Sequence, residues 1–392
     1  MATTSSSTDN LKVHSSKENK ITKKKSASVA STITLLLSAL AVAIVAVLLT
    51  RTRTESTTAS TVPTDAKITT TQTSSTTKSA PTSTMAATTP ARRLPIYFVS
   101  HGGVSILPTR PYPPNIMYDH DHPVYPRLQA LGKEITEKVK PKAVVVLSAH
   151  WQAGESGSDL AGGAGGLKKE FIEVNVEEKE QPLIYDFYNF PAHYYKEKYP
   201  HRGSKQVSSR VLDLLKENNI SATGTKRGLD HGVWAVFRCM FNPTENPLNV
   251  PLVQVSLFPS ESPDNHIALG KALAPLRDEG VLIVASGMAV HNLRELWTYM
   301  SKPGSMAPYT KPFDDALTEA VVRGTGEERE GKLVELLRRQ DARKAHPTFE
   351  HILPVHVAAG AAAGERGKKL FDMPQGSMAW SMFRFGEVPA EA

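Results

Sequence analysis

Histidine is the residue whose placement could do chemistry in this chain, which holds 13 of them among 392 residues. His101 directly follows the apolar run LPIYFVS, in FVSHGG. His150 ends a second run, in VVLSAHW, and His291 comes just after a third, in VASGMAVHNLREL. His231 sits in GLDHGVW, and His346, His351 and His356 crowd the stretch HPTFEHILPVH. Neutral imidazole is a good ligand for zinc, copper and iron, and α/β folds bind ligands at the carboxyl ends of their strands. Small neighbours (Gly102, Gly103, Ser148, Ala149) leave room for a ligand to approach. The pattern supports a mononuclear, histidine-rich metal site. His120 and His122, in YDHDHPVYP, imitate a metal pair, but a proline-rich loop positions ligands poorly. His14 falls in a polar tail, and His193, His201 and His266 read as surface residues.

Other chemistries lack their signatures. There is no H-E-x-x-H helix and no G-x-S-x-G elbow, and no P-loop or G-x-G-x-x-G follows a strand. The single cysteine, Cys239, excludes an intrachain disulfide and any cysteine-rich zinc site. The net charge of +7 also loses its force once it is localised. Residues 1–93 hold 12 Lys/Arg against 4 Asp/Glu, which leaves 34 against 35 for the remainder. The body is neutral, so no nucleic-acid partner is expected.

The elements that must position these histidines begin at Leu94. LPIYFVS (94–100), AVVVLSA (143–149), PLVQVSL (251–257) and VLIVASG (281–287) are short, β-branched, nearly continuous apolar runs, as buried strands require. Helical stretches lie between them at 126–140, 204–218 and 266–278, and a further pair follows at 313–323 and 328–342. This alternation predicts a single α/β domain over 94–392, a central sheet flanked by helices.

Upstream the texture is different. Residues 1–27 form a basic tail, and 28–50 are uncharged and mostly apolar, long enough for one transmembrane helix. Residues 51–93 are dominated by serine and threonine and read as a disordered stalk. The lysines of the tail predict a single-pass membrane protein with a cytosolic N-terminus and a lumenal or extracellular domain. Asn219-Ile220-Ser221 is the sole usable N-glycosylation sequon, and one occurrence is near chance.

Taken in order, SHGG, SAHW, GLDHG, SGMAVHNLR and HPTFEH resemble the motifs of the class III extradiol ring-cleavage dioxygenases of LigB type, in the single-chain branch typified by 4,5-DOPA dioxygenase. YDFYNFP (185–191) and the terminal GSMAWSMFRFG match as well, and the resemblance spans roughly 94–388. It implies one divalent metal per chain, Fe(II) for activity or Zn(II) as bound, held by His101, His150 and His351. Glu350 is the alternative third ligand, since distant relatives use a glutamate. His291 matches the family's catalytic acid/base, and His231 matches a second pocket histidine that hydrogen-bonds substrate or oxygen. The implied substrates are a small catechol of DOPA type and O2, and the implied product is a muconic semialdehyde. Tyr185, Phe187, Phe190 and Trp151 are candidates for the pocket wall or for ordinary core. Loops 104–128 and 153–176 look longer than in compact members, and the N-terminal extension is foreign to the family. Two other readings compete: a catalytically silent binding protein on the same fold, and a zinc-dependent hydrolase using the same histidines.

Overall fold

The computed structural model describes residues 93–101, 122–154, 170–187, 190, 192, 194–300 and 304–389. The chain divides into two units, Met1–Thr84 and Met85–Ala392, and every described residue belongs to the second. The basic tail, the apolar segment 28–50 and the stalk up to residue 92 lie outside the described residues. Among the described residues no helix is long and apolar enough to cross a membrane.

The four apolar runs form the middle of one sheet: β1 (Ile96–Ser100), β2 (Ala143–Gln152), β5 (Leu252–Leu257) and β6 (Val281–Gly287), all mutually parallel in the order β5-β2-β6-β1. Their side chains alternate between two buried faces, as the two-residue period of a strand dictates. Ile96, Phe98, Val145, Leu147, Val253 and Ile283 enter one apolar cluster, while Tyr97, Val99, Val144, Val146, Leu252 and Leu282 enter the other. Helices cover both faces, which is why these strands lack polar alternation. Over the second face lie α1 (Val124–Lys133, extended by a π-helical turn, Glu134–Val139) and α3 (His231–Met240). Over the first lie α2 (Lys205–Glu217), α4 (Pro263–Leu273), α5 (Thr310–Arg323), α6 (Gly326–Leu336) and α7 (Leu353–Ala362).

Several elements were not legible as such. The sheet is extended on one side by β3 (Ile172–Asn175) and β4 (Ala222–Thr225), and on the other by β11 (Met382–Phe385) and β8 (Gly367–Phe371). A small second sheet joins β7 (Val290–His291), β10 (Met378–Ala379) and β9 (Pro374–Gln375). These strands are only two to five residues long, so local periodicity says little about them. The α7 helix is apolar on every side because it is buried all round, which removes the amphipathic signal.

Two fully buried arginines close the carboxyl end of α7. Arg329 donates to the carbonyls of Ala359, Ala363 and Glu365, and Arg277 donates to Ala361 and, through Nε, to Leu94. The last carbonyls of a helix have no partner within it, and a cation there also meets the negative end of the helix dipole. Arg329→Met should therefore cost about 3 kcal/mol, read as a lower urea midpoint with an unchanged slope.

Candidate functional site

The site is built at the carboxyl ends of β1, β2 and β6. Backbone pairing places His101 there, since its N–H bonds Gly287 O at 2.9 Å. His150 arrives through an irregularity in β2. Against β5 the register jumps from Leu147↔Val255 to Gln152↔Leu257, so five steps along β2 oppose two along β5. Such bulges re-aim side chains and cluster beside active sites. His291 ends the two-residue β7, paired with Met378. His351 lies in the turn before α7, and its carbonyl accepts from Met288 N at 2.8 Å. Two glycines make this crowding feasible. A Cβ on Gly287 would stand 2.3 Å from His351 O, and one on Gly232 would stand 2.5 Å from Ser148 Oγ and 2.9 Å from the His150 ring.

Three Nε2 atoms converge: His101 to His150 at 3.2 Å, and His150 to His351 at 3.3 Å. The hydrogen bonds on the other ring nitrogens fix which tautomer each ring adopts. Ser286 spends its hydroxyl proton on Gly232 O, so its oxygen accepts from His101 Nδ1–H at 3.1 Å. His150 Nδ1–H donates to Asp186 Oδ2 at 3.0 Å, and His351 Nδ1–H donates to Glu350 Oε1 at 2.9 Å. With every proton on Nδ1, the Nε2 atoms of His101 and His351 each present a bare lone pair to that of His150. Lone pairs so close repel unless a cation lies among them. Nitrogen ligands ~2.1 Å from one ion stand about 3.0–3.4 Å apart, the spacing seen here, and an orienting partner on the distal nitrogen is the usual support of a metal-bound histidine. The residues present therefore fit a divalent ion.

His231 and His291 flank the trio. His231 opens α3, and its ring centroid lies 3.9 Å from that of His150 and 6.0 Å from that of His101. Asp186 serves both neighbours: Oδ1 accepts from His231 Nδ1 at 2.7 Å and from its backbone N–H at 3.0 Å, while Oδ2 takes His150. His291 stacks on His351, with centroids 3.6 Å apart and planes 14° apart, and the described residues give its ring no hydrogen bond. Two separate groups each bring their ligand atoms within 4.8 Å of one another: His101, His150 and His231 in one, and His291, Glu350 and His351 in the other. Glu350 stands on the Nδ1 side of His351, where it also accepts from Thr348 at 2.9 Å. It orients that ring rather than joining the three converging nitrogens.

The electrostatics follow from this packing. Burial, followed by the neighbouring imidazoles, holds His101, His291 and His351 well below the ordinary imidazole range. Burial and then His150 lower His231 as well, against the pull of Asp186. His150 goes the other way: burial is the largest influence and pushes it down, but Asp186, Asp230 and Glu350 together outweigh burial and the net shift is upward. Asp186 would be raised by its own burial, yet its bonds to His150 and His231 drive it far below the usual carboxylate range.

A second carboxylate supports the site from below. Asp230 is fully buried and is matched by Ser148 Oγ at 2.7 Å, Arg227 Nη1 at 2.9 Å and Gln254 Nε2. Arg227 also donates to His150 O at 3.2 Å, which ties the start of α3 to the end of β2. Asp186, Ser286, Arg227 and Gln254 escaped the sequence reading. Asp186 lies inside YDFYNFP, a stretch read only for its aromatic residues, although an acid beside them was the available signal.

Among the candidate wall residues, Phe187 packs edge-on against His231 at 5.7 Å and Phe190 against Phe187 at 5.2 Å. Tyr185 is tied away, donating to Glu197 O at 2.6 Å. Trp151 is core: it is fully buried, with Arg227 over its ring at 4.8 Å. Residues 102–121 and 155–169, within the two loops read as lengthened, lie outside the described residues, as do His14, His120 and His193. His122 packs on Trp380 at 5.4 Å and belongs to neither metal-capable group.

The other histidines are structural, and one expectation is corrected. His266 is not a surface residue: it is fully buried on α4, its Nδ1–H donating to Ser262 O at 2.7 Å and its Nε2 accepting from Phe258 N–H. The apparent cluster around His351 also separates. His346 donates from Nε2 to Ala289 O at 2.9 Å, and His356 faces the carbonyls of Ile352 and Leu333. Burial lowers His266 to about 3 and His346 to about 4. Both groups are depressed relative to an unfolded value near 6.5. Their contribution to stability is therefore complete above pH 6.5 and is lost as the pH falls toward 4 and then 3. At pH 5 each should cost about 2 kcal/mol. Thermal melts should show that loss, and His346→Gln, which keeps a donor for Ala289 O without titrating, should make it shallower.

Comparison with known proteins places these features in context. The family model "Catalytic LigB subunit of aromatic ring-opening dioxygenase" matches residues 95–380. A 4,5-DOPA dioxygenase extradiol-like protein of Schizosaccharomyces pombe is 34% identical over 64% of this chain and 77% of its own length. The 4,5-DOPA dioxygenase extradiol of Beta vulgaris is 34% identical over 69% of this chain and 88% of its own. In structure, an uncharacterised Escherichia coli K12 protein aligns with a TM-score of 0.55 at 28% identity, covering 75% of this chain and all of that one.

Proposed function

The chain belongs to the LigB family of aromatic ring-opening dioxygenases and is an extradiol ring-cleavage dioxygenase; from that premise we propose that its substrate is a small catechol of DOPA type, opened to a muconic semialdehyde. The observation that carries this reading is the convergence of three bare Nε2 atoms with two further imidazoles beside them. His101, His150 and His351 are assigned as the metal ligands, because the Nε2 atoms of His101 and His351 close on that of His150 at 3.2 and 3.3 Å, with each Nδ1 bonded to an orienting group. A divalent ion held there, Fe(II) for turnover or Zn(II) as a resting occupant, would supply the centre at which a catechol and O2 are brought together.

The rest of the chemistry belongs to the side chains. Among the described residues the His291 ring makes no hydrogen bond and stacks on His351, so a ring nitrogen is available to take a phenolic proton and later return it. His231 keeps Nδ1 on Asp186, which leaves Nε2 to bond the substrate or a developing negative charge. Phe187, edge-on to His231, offers an apolar flank for a flat ring. A catalytically silent relative has no reason to keep all five histidines, and here the five are gathered at one sheet end.

The apolar segment 28–50 and the lysines before it support membrane anchoring through one N-terminal helix, with the N-terminus cytosolic and the catalytic domain lumenal or extracellular. The activity is tested by oxygen consumption of the purified full chain, loaded anaerobically with Fe(II) and offered L-DOPA and a panel of catechols. Iron-dependent uptake with a yellow product is expected. A tightly bound metal with no uptake on any catechol would favour a zinc hydrolase or a binding protein instead.

A further inference from the structure

The one N-glycosylation sequon of the chain, Asn219-Ile220-Ser221, lies where α2 turns into β4. The turn is a Schellman motif: Ile220 N–H bonds Leu215 O at 2.9 Å, and Asn219 N–H bonds Lys216 O at 3.0 Å. This places Asn219 in the left-handed region, φ +58°, a conformation that asparagine tolerates better than other residues with a side chain. The middle residue of the sequon points inward, with Ile220 packed on the core that holds the fully buried Leu215. Its two chemically relevant neighbours therefore point outward. Asn219 and Ser221 are both exposed, and neither side chain has a partner among the described residues. Ser221 is held only by its backbone, whose carbonyl accepts from Ile172 N–H at 2.9 Å.

The adjacent asparagine makes a useful contrast. Asn218 turns its amide back onto the helix, donating to Leu214 O at 2.9 Å, and is not in a sequon. The asparagine that the fold consumes and the asparagine that it leaves free are thus neighbours, and the free one is the acceptor. β4 is also the outermost strand on its side of the sheet among the described residues. Bulk attached three residues before it would shield an open strand edge.

We propose that Asn219 carries an N-linked glycan, joined through its side-chain amide nitrogen. This rests on the lumenal placement of the catalytic domain proposed above, because the acceptor meets the transferring enzyme only on that side of the membrane.

The test is translation of the full chain in the presence of endoplasmic-reticulum microsomes, with and without PNGase F. Protease protection is read in parallel. The expected result is one mobility step, removed by PNGase F, on a chain whose domain is protected. Both Asn219→Gln and Ser221→Ala should abolish that step. Ser221→Ala leaves the Schellman turn intact, so its loss of the step cannot be ascribed to misfolding. A protected domain without the step would overturn the glycan and leave the topology standing. A domain digested from outside the microsomes would overturn both together. The serine- and threonine-linked sugars of a stalk are insensitive to PNGase F and cannot produce the result.

Discussion

Alanine at His101 or His150 is expected to remove the metal itself, whereas alanine at His291 should leave metal content unchanged and remove turnover. Each of the first two rings supplies one of the three converging lone pairs, and an ion held by three neutral nitrogens has few ligands to spare. His291 takes no part in that convergence; it lies on the face of His351. Its loss should cost about 10²–10⁴-fold in turnover, the usual worth of a positioned acid/base. Metal analysis of purified variants separates the two classes without reference to activity. His150 is only partly buried at a strand end, so the variant should keep the wild-type fold by circular dichroism. Normal metal content and normal turnover in His150→Ala would show that the site has been assigned to the wrong residues.

The second large effect should come from Asp186→Asn, a change of one atom in a residue that touches no substrate atom in the proposed scheme. The carboxylate accepts on both oxygens: twice on Oδ1, from His231 Nδ1 and N–H, and once on Oδ2, from His150 Nδ1. A carboxamide has one accepting oxygen and one donating NH2 group. The oxygen should take the side with two donors, so the NH2 faces His150. That ring can then keep a hydrogen bond only by moving its proton to Nε2, which fills the lone pair aimed at the metal. A loss of about 10–100-fold in metal affinity is expected, read by competitive chelation. The histidine ¹⁵N spectrum should show His150 in the other tautomer. Unchanged metal affinity would mean that Asp186 is a packing residue.

Much of this architecture was legible in the chain. The four central strands needed no partner to be recognised, because burial on both faces forces continuous β-branched runs such as AVVVLSA and VLIVASG. His101 and His150 were visible for the same reason, each standing at the end of such a run. The outer strands β3, β4, β8 and β11 were not, since four or five residues carry too little local period to be recognised. Trp151 and His266 show the matching limit for side chains. Trp151 was open between pocket wall and ordinary core, His266 was expected at the surface, and both are core.

The α/β class, the neutral charge of the catalytic body, the order of the histidine motifs and hence the family were readable from the chain alone. Those properties are written in residue types and short-range spacing, which survive without any knowledge of the fold. Tertiary structure decided which histidines meet, and with which nitrogen. His351 reaches His150 across 201 positions, while His346 and His356, in the same short stretch, turn to backbone carbonyls. The imidazoles are chemically identical in the sequence. What distinguishes them is the partner on the distal nitrogen (Ser286, Asp186 or Glu350), and only the packing of distant elements brings that partner within hydrogen-bonding distance.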